Sequence, residues 1–245
     1  MTALTLKTGL LAALALVMGV LVLRMEPIPQ DIAYHAFADA RPFLGIPNFL
    51  HVVSNLAFVA VGVAGMVVLA SPDLQGGVPE LRSIYRVFFV GLFLVGLGSG
   101  YYHLDPSNAT LLWDRLPMSL AFMAFFSVML GERISVTAGR RLFLPLLVAG
   151  VLAVVYWYFS EQRGAGDLRP YVLVQFLPML LVPVMLLVFR ARFSGSGWLW
   201  GMLLAYAGSK AAELGDVAVF ELTGVLSGHT LKHLLAALGL SLIHI

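Results

Sequence analysis

Eight apolar runs divide this chain, most of them close to the roughly 20 residues that a helix needs to cross a bilayer. They lie at about 10–23, 49–70, 84–103, 113–130, 142–159, 171–189, 198–220 and from His229 onward. Backbone polar groups have no water to bond in hydrocarbon, so runs of this kind are expected as helices. With 60% hydrophobic residues and 11% charged ones, the 245-residue chain leaves no room for a soluble domain. The expectation is a single all-α polytopic membrane domain, 1–245, whose surroundings are the lipid bilayer. The net charge of +2 comes from basic residues between apolar runs rather than in a patch, which argues against a nucleic-acid partner. Cysteine is absent, so any metal must be held by His, Asp or Glu.

Charge bias orients the spans. One set of connections carries Lys7, Arg82, Arg86, Arg133, Arg140, Arg141, Arg190 and Arg192; the other carries Arg24, Arg41, Arg115, Arg163 and Arg169. The positive-inside rule then makes the N-terminus cytoplasmic. On that topology the end of the helix with Ser99 and His103, the start of the helix with Asp114 and the start of the helix with His229 and His233 share the outer side. The more polar stretch from Glu26 to Pro47, with Asp31, His35, Asp39 and Arg41, reads as an extramembrane loop or interfacial helix.

Ser99 and His103 stand four residues apart, as do His229 and His233, so each pair projects from one helical face. Three imidazoles from two helices can hold Zn²⁺ and leave its fourth position open, the catalytic form of a zinc site. Asp114 is then placed to accept a proton from the attacking water, and Ser99 to donate to an oxyanion. Each residue also has a structural reading. A histidine near a helix end is commonly satisfied by water or backbone, and Gly96 with Gly100 forms a small-residue face for helix crossing. Asp114 reads by default as a helix N-cap, with Pro117 in the first turn. The coincidence of these ionisable groups at one depth in the membrane favours a site.

Gly98-Ser99-x3-His103, Asp114-x-Leu-Pro-Met118 and His229-x3-His233, together with Ser54-Asn55-x2-Phe58, resemble the alkaline ceramidases and their bacterial relatives. These belong to the CREST superfamily of seven-helix membrane hydrolases. The resemblance implies a seven-helix core over about 46–239, with the run at about 5–24 an additional N-terminal helix. It implies zinc held by His103, His229 and His233, Asp114 and Ser99 as catalytic residues, and hydrolysis of the amide of a ceramide-like membrane lipid to a sphingoid base and a fatty acid. The sequence departs from the family at Lys232, where a tryptophan is typical. A bacterial inner membrane is the expected location.

Lys210, Glu213 and Asp216 lie within one apolar run. Lys210 and Glu213 can pair within a helix, while Glu213 or Asp216 is expected to orient a metal-bound imidazole from outside the ligand set. Asn55 is expected to support the site by an interhelical hydrogen bond, with His51 and Ser54 in the same polar network. The rival readings are a receptor-like or lipid-remodelling member of the superfamily, a transporter or proton relay through Lys210, Glu213 and Asp216, and a bis-histidine haem protein. Leu240-Ser-Leu-Ile-His-Ile245 reads as one frame of a sequencing adapter, so His244 is set aside and the native C-terminus is expected to differ.

Overall fold

A computed structural model describes residues 2–71, 78–190 and 196–243; Arg192 and His244 fall outside them. Among the described residues the regular structure is α-helical, apart from short 3-10 turns and a bridge between Phe43 and Ile46. The helices are α1 (Ala3–Arg24), α2 (Phe49–Ser54), α3 (Leu56–Ala70), α4 (Arg82–Leu104), α5 (Asn108–Arg133) and α6 (Val136–Gln162), then α7 (Arg169–Val188), α8 (Ser196–Leu214), α9 (Asp216–Thr223) and α10 (Gly228–Ser241). Six spans among the described residues, with α2 and α3 together making one, are long and apolar enough to cross a membrane. The chain is an integral membrane protein. Its exterior agrees: Leu142, Leu144, Val148 and Leu152 of α6 are exposed, a cost in water and none in lipid.

The contacts divide into two units. The first comprises Met1–Gln30, Gly77–Phe88 and Ser119–Ser196. Here Lys7 of α1 donates to the Val188 carbonyl at 2.8 Å and Arg169 donates to the Leu23 carbonyl at 2.9 Å, which fastens both ends of α1 to α7. Met123, Ala153 and Val174 form a buried apolar cluster. Gly139 of α6 admits the α5 backbone, since a Cβ there would stand 2.6 Å from the Ser127 carbonyl.

The second unit comprises Asp31–Gly76, Phe89–Met118 and Gly197–Ile245. Its apolar cluster joins Phe58 of α3, Val95 of α4 and Ala237 of α10. Two boundaries differ from the sequence expectation. Helix α5 starts at Asn108 rather than near Trp113, so Asp114 is no N-cap and Pro117 lies inside the helix instead of in its first turn. Proline has no N–H for the carbonyl four residues back, and that carbonyl, of Trp113, lies against Gly98 of α4. Only glycine fits there. The run expected over 198–220 is divided at Gly215 into α8 and α9, and Gly228, at the start of α10, packs against this joint with a Cβ position 2.7 Å from the Asp216 Cα. Gly96 packs against the Asn55 carbonyl, whereas Gly100 meets nothing within 4 Å, so the two do not share a helix-crossing face.

Candidate metal centre

The second unit buries a group of polar side chains that only mutual bonding, or a ligand, can satisfy. His103, in the last turn of α4, and His229 and His233, one turn apart on α10, are all buried. Each offers a ring nitrogen within 4.8 Å of the others, and every pair of rings is 4.9 Å apart by centroids. The spacing on α10 follows from helical periodicity; bringing α4 to it required the fold.

Tautomers follow from the neighbours. Ser54 Oγ donates its one proton to the His51 carbonyl at 3.0 Å, so at 2.8 Å from His233 Nδ1 it accepts. His233 is thereby left with a lone pair on Nε2, the state a metal requires. His103 Nδ1 is buried without a hydrogen-bond partner. Three neutral imidazoles with an unsatisfied nitrogen among them form a donor set that suits a divalent ion of borderline softness.

The expected second-rank residues hold the site in other ways. Asp216 accepts the backbone N–H of His229 at 2.6 Å through Oδ1 and that of Ala38 at 2.9 Å through Oδ2. It fixes the start of α10 rather than a ring. Glu213 accepts from Lys210 at 2.8 Å and from Lys232 at 2.6 Å, and Lys232 Nζ stands 3.4 Å from His229 Nε2. The His233 imidazole has a hydroxyl, Ser54, on its Nδ1. Asn55 donates to the His51 carbonyl at 2.8 Å from the joint between α2 and α3. Asp114 is 7% exposed and hydrogen-bonded to the side chain of Ser99, one turn before His103. While Asp114 is ionised it only accepts, so the Ser99 proton points to it.

The polar stretch before α2 forms a strap over this group. His35 bonds Tyr102 Oη and Asn108 Oδ1, each at 2.9 Å, and Asn48 donates to the His103 carbonyl at 2.9 Å. Asp39 is clamped by Arg41, whose guanidinium also donates to the carbonyls of Gly224 and Val225 and lies over the Phe220 ring at 4.9 Å. That bonding holds the Asp39 carboxyl below the usual carboxylate range, while burial pushes the Tyr34 phenol up. The clamp seats Phe37 with its centroid 4.8 Å from His51, 4.8 Å from His103 and 4.7 Å from His229. Phe37 carries no chemical signature, and nothing in the sequence pointed to it. Lys232 was visible only as an unusual residue between two histidines, but Ser54 and His51, three apart on one helix turn, carried a legible polar spacing.

A protein-family model described as Ceramidase matches residues 45–207. The matched stretch holds Ser54, Asn55, Ser99, His103 and Asp114 and ends before α10, so His229 and His233 join the set by geometry. No curated protein matches the chain.

Proposed function

The chain belongs to the ceramidase family, and from that premise we propose that it is a zinc-dependent membrane amidohydrolase acting on ceramide-like N-acyl lipids. The observation that carries the proposal is the convergence of His103, His229 and His233 beside a buried, hydrogen-bonded carboxylate on the neighbouring helix. His103, His229 and His233 would hold the zinc, which would supply Lewis acidity toward an acyl carbonyl and lower the pKa of water there.

The protein's own groups do the rest. Asp114 accepts the proton of the attacking water as the new C–O bond forms, with Ser99 holding the carboxylate in position. As the C–N bond breaks, Asp114 returns that proton to the departing amine. The products are a sphingoid-type base and a fatty acid. Phe37 covers the centre from the strap and limits water at the reacting carbonyl. Glu213 pairs with both Lys210 and Lys232, which lowers the cost of holding two ammonium groups in a low-dielectric interior. A proton relay would need Asp216 in line with that pair, and Asp216 instead holds two backbone N–H groups. The expected setting is a bacterial inner membrane, N-terminus inside and centre outward, as the charge bias indicates.

Purified protein is expected to carry about one zinc per chain and to release fatty acid from an N-acyl sphingoid lipid. His103, His229 and His233 replaced together by alanine should abolish both. Full zinc occupancy in that variant would sink the site assignment; one zinc with no turnover of any N-acyl lipid would point to a receptor-like role.

A further inference from the structure

A fourth histidine adjoins the centre. His51 is 0% exposed, and its ring lies 5.4 Å from that of His103 and 5.1 Å from that of His229. It is not in the group whose nitrogens all lie within ligand distance, which is His103, His229 and His233. Its Nδ1 is 3.2 Å from Thr230 Oγ1, and its Nε2 is buried with no hydrogen-bond partner. An orphaned nitrogen at such a place calls for a ligand.

The direction of the missing bond turns on one proton, that of the Thr230 hydroxyl. Ser227 Oγ donates to Thr230 Oγ1 at 3.5 Å, so the Thr230 proton is available to His51 Nδ1. With that proton given to Nδ1, the His51 ring carries its own on Nε2 and is a donor. Its backbone is held on two sides, since its carbonyl accepts from both Ser54 Oγ and Asn55 Nδ2. Ser54 also bonds His233, so one helix turn sets the positions of His51 and of a metal-site imidazole together. Meanwhile the hydroxyl that the sequence suggested as oxyanion donor, Ser99, is engaged with Asp114.

We propose that His51 Nε2–H is the hydrogen-bond donor to the carbonyl oxygen of the acyl group held at the centre, a positioned neutral donor that strengthens as charge develops on that oxygen. The inference rests on the amidohydrolase reading for the identity of the acyl group, but not for the presence of an acceptor oxygen. It assigns the holding of the metal to three histidines and the polarising of the bound oxygen to the fourth.

The test uses the full chain with His51→Phe, which keeps a ring of similar size, and His51→Gln, which restores a donor. Both variants are expected to keep wild-type metal content. With an N-acyl sphingoid lipid, His51→Phe should lower kcat about 100-fold with KM changed less than threefold, and His51→Gln should recover at least tenfold. In parallel, cobalt(II)-loaded protein is titrated with dodecanoate and followed by the visible absorption of the metal. His51→Phe should weaken dodecanoate binding about tenfold, with His51→Gln closer to wild type. Equal dodecanoate affinity in all three proteins, or loss of metal from both variants, would overturn the proposal. If the wild type hydrolyses no N-acyl lipid, the amidohydrolase reading fails, and the dodecanoate titration still decides the role of His51.

Discussion

The same five-residue pattern occurs twice, before α2 and at the entry to α7: Asp39-Ala-Arg41-Pro-Phe43 and Asp167-Leu-Arg169-Pro-Tyr171. The local structures match bond for bond. In each, the arginine backbone N–H donates to Oδ1 of the aspartate, Nε donates to the same oxygen and Nη2 to the other. Each guanidinium then reaches two carbonyls far off in sequence, Gly224 and Val225 for Arg41, Leu23 and Met25 for Arg169. What differs is the cargo. The first clamp seats Phe37 on the histidines, and the second ties the end of α1 to α7. A fixed local motif thus adjoins the candidate metal centre in one unit and fastens two helices in the other, because its free donors take whatever carbonyls the fold presents.

Three substitutions sharpen or break this contrast. The largest effect is expected at the chemistry itself: Asp114→Asn should lower kcat on N-acyl lipids by about 10²–10⁴-fold with zinc retained, measured by turnover and metal analysis on the same sample. Unchanged turnover would remove Asp114 from the mechanism. Next, Asp39→Asn should cut kcat about tenfold by loosening Phe37, a modest displacement near a reacting centre, with zinc still bound. The matching change in the other clamp, Asp167→Asn, should leave kcat per folded molecule within twofold but lower Tm by roughly 3–10 °C, the scale of a lost charged hydrogen bond in a chain of this size. Were both clamps to affect kcat alike, the contrast would not stand.

The smallest effect is in pH. Arg169 holds the Asp167 carboxyl down to about 2, and a carboxyl depressed in the folded state stabilises the protein above its unfolded pKa of about 3.9. That contribution is complete above about pH 5 and is lost as pH falls from about 4 toward about 2. The Tm gap between wild type and Asp167→Asn should therefore narrow across that window. A gap that stays constant down to pH 2.5 would show that the substitution acts by geometry alone.

Local periodicity made much of the molecule legible. Lengths and composition marked the spans, and intervals of four residues alone put Ser99 with His103 and His229 with His233 on shared faces. The start of α5 was less legible, because Ser107-Asn108-Ala109-Thr110 is polar and reads as a turn. Within the fold it forms the first turn of α5, where Thr110 Oγ1 bonds the Asp105 carbonyl at 2.6 Å. The break at Gly215 was hidden inside an apolar run whose average says helix throughout.

By itself the sequence determined an all-α membrane protein and the histidines able to hold a metal, since bilayer thickness and helical pitch act on neighbours along the chain. The tertiary structure decided which of those residues meet. Gly98 and Gly228 let backbones approach where any side chain would intrude, and that approach helps bring α4, α5 and α10 together around three imidazoles. The strap placed Phe37 over them, and α2 placed His51 beside them with an unpaired ring nitrogen. Such distances depend on packing between elements far apart in sequence, and no local pattern encodes them.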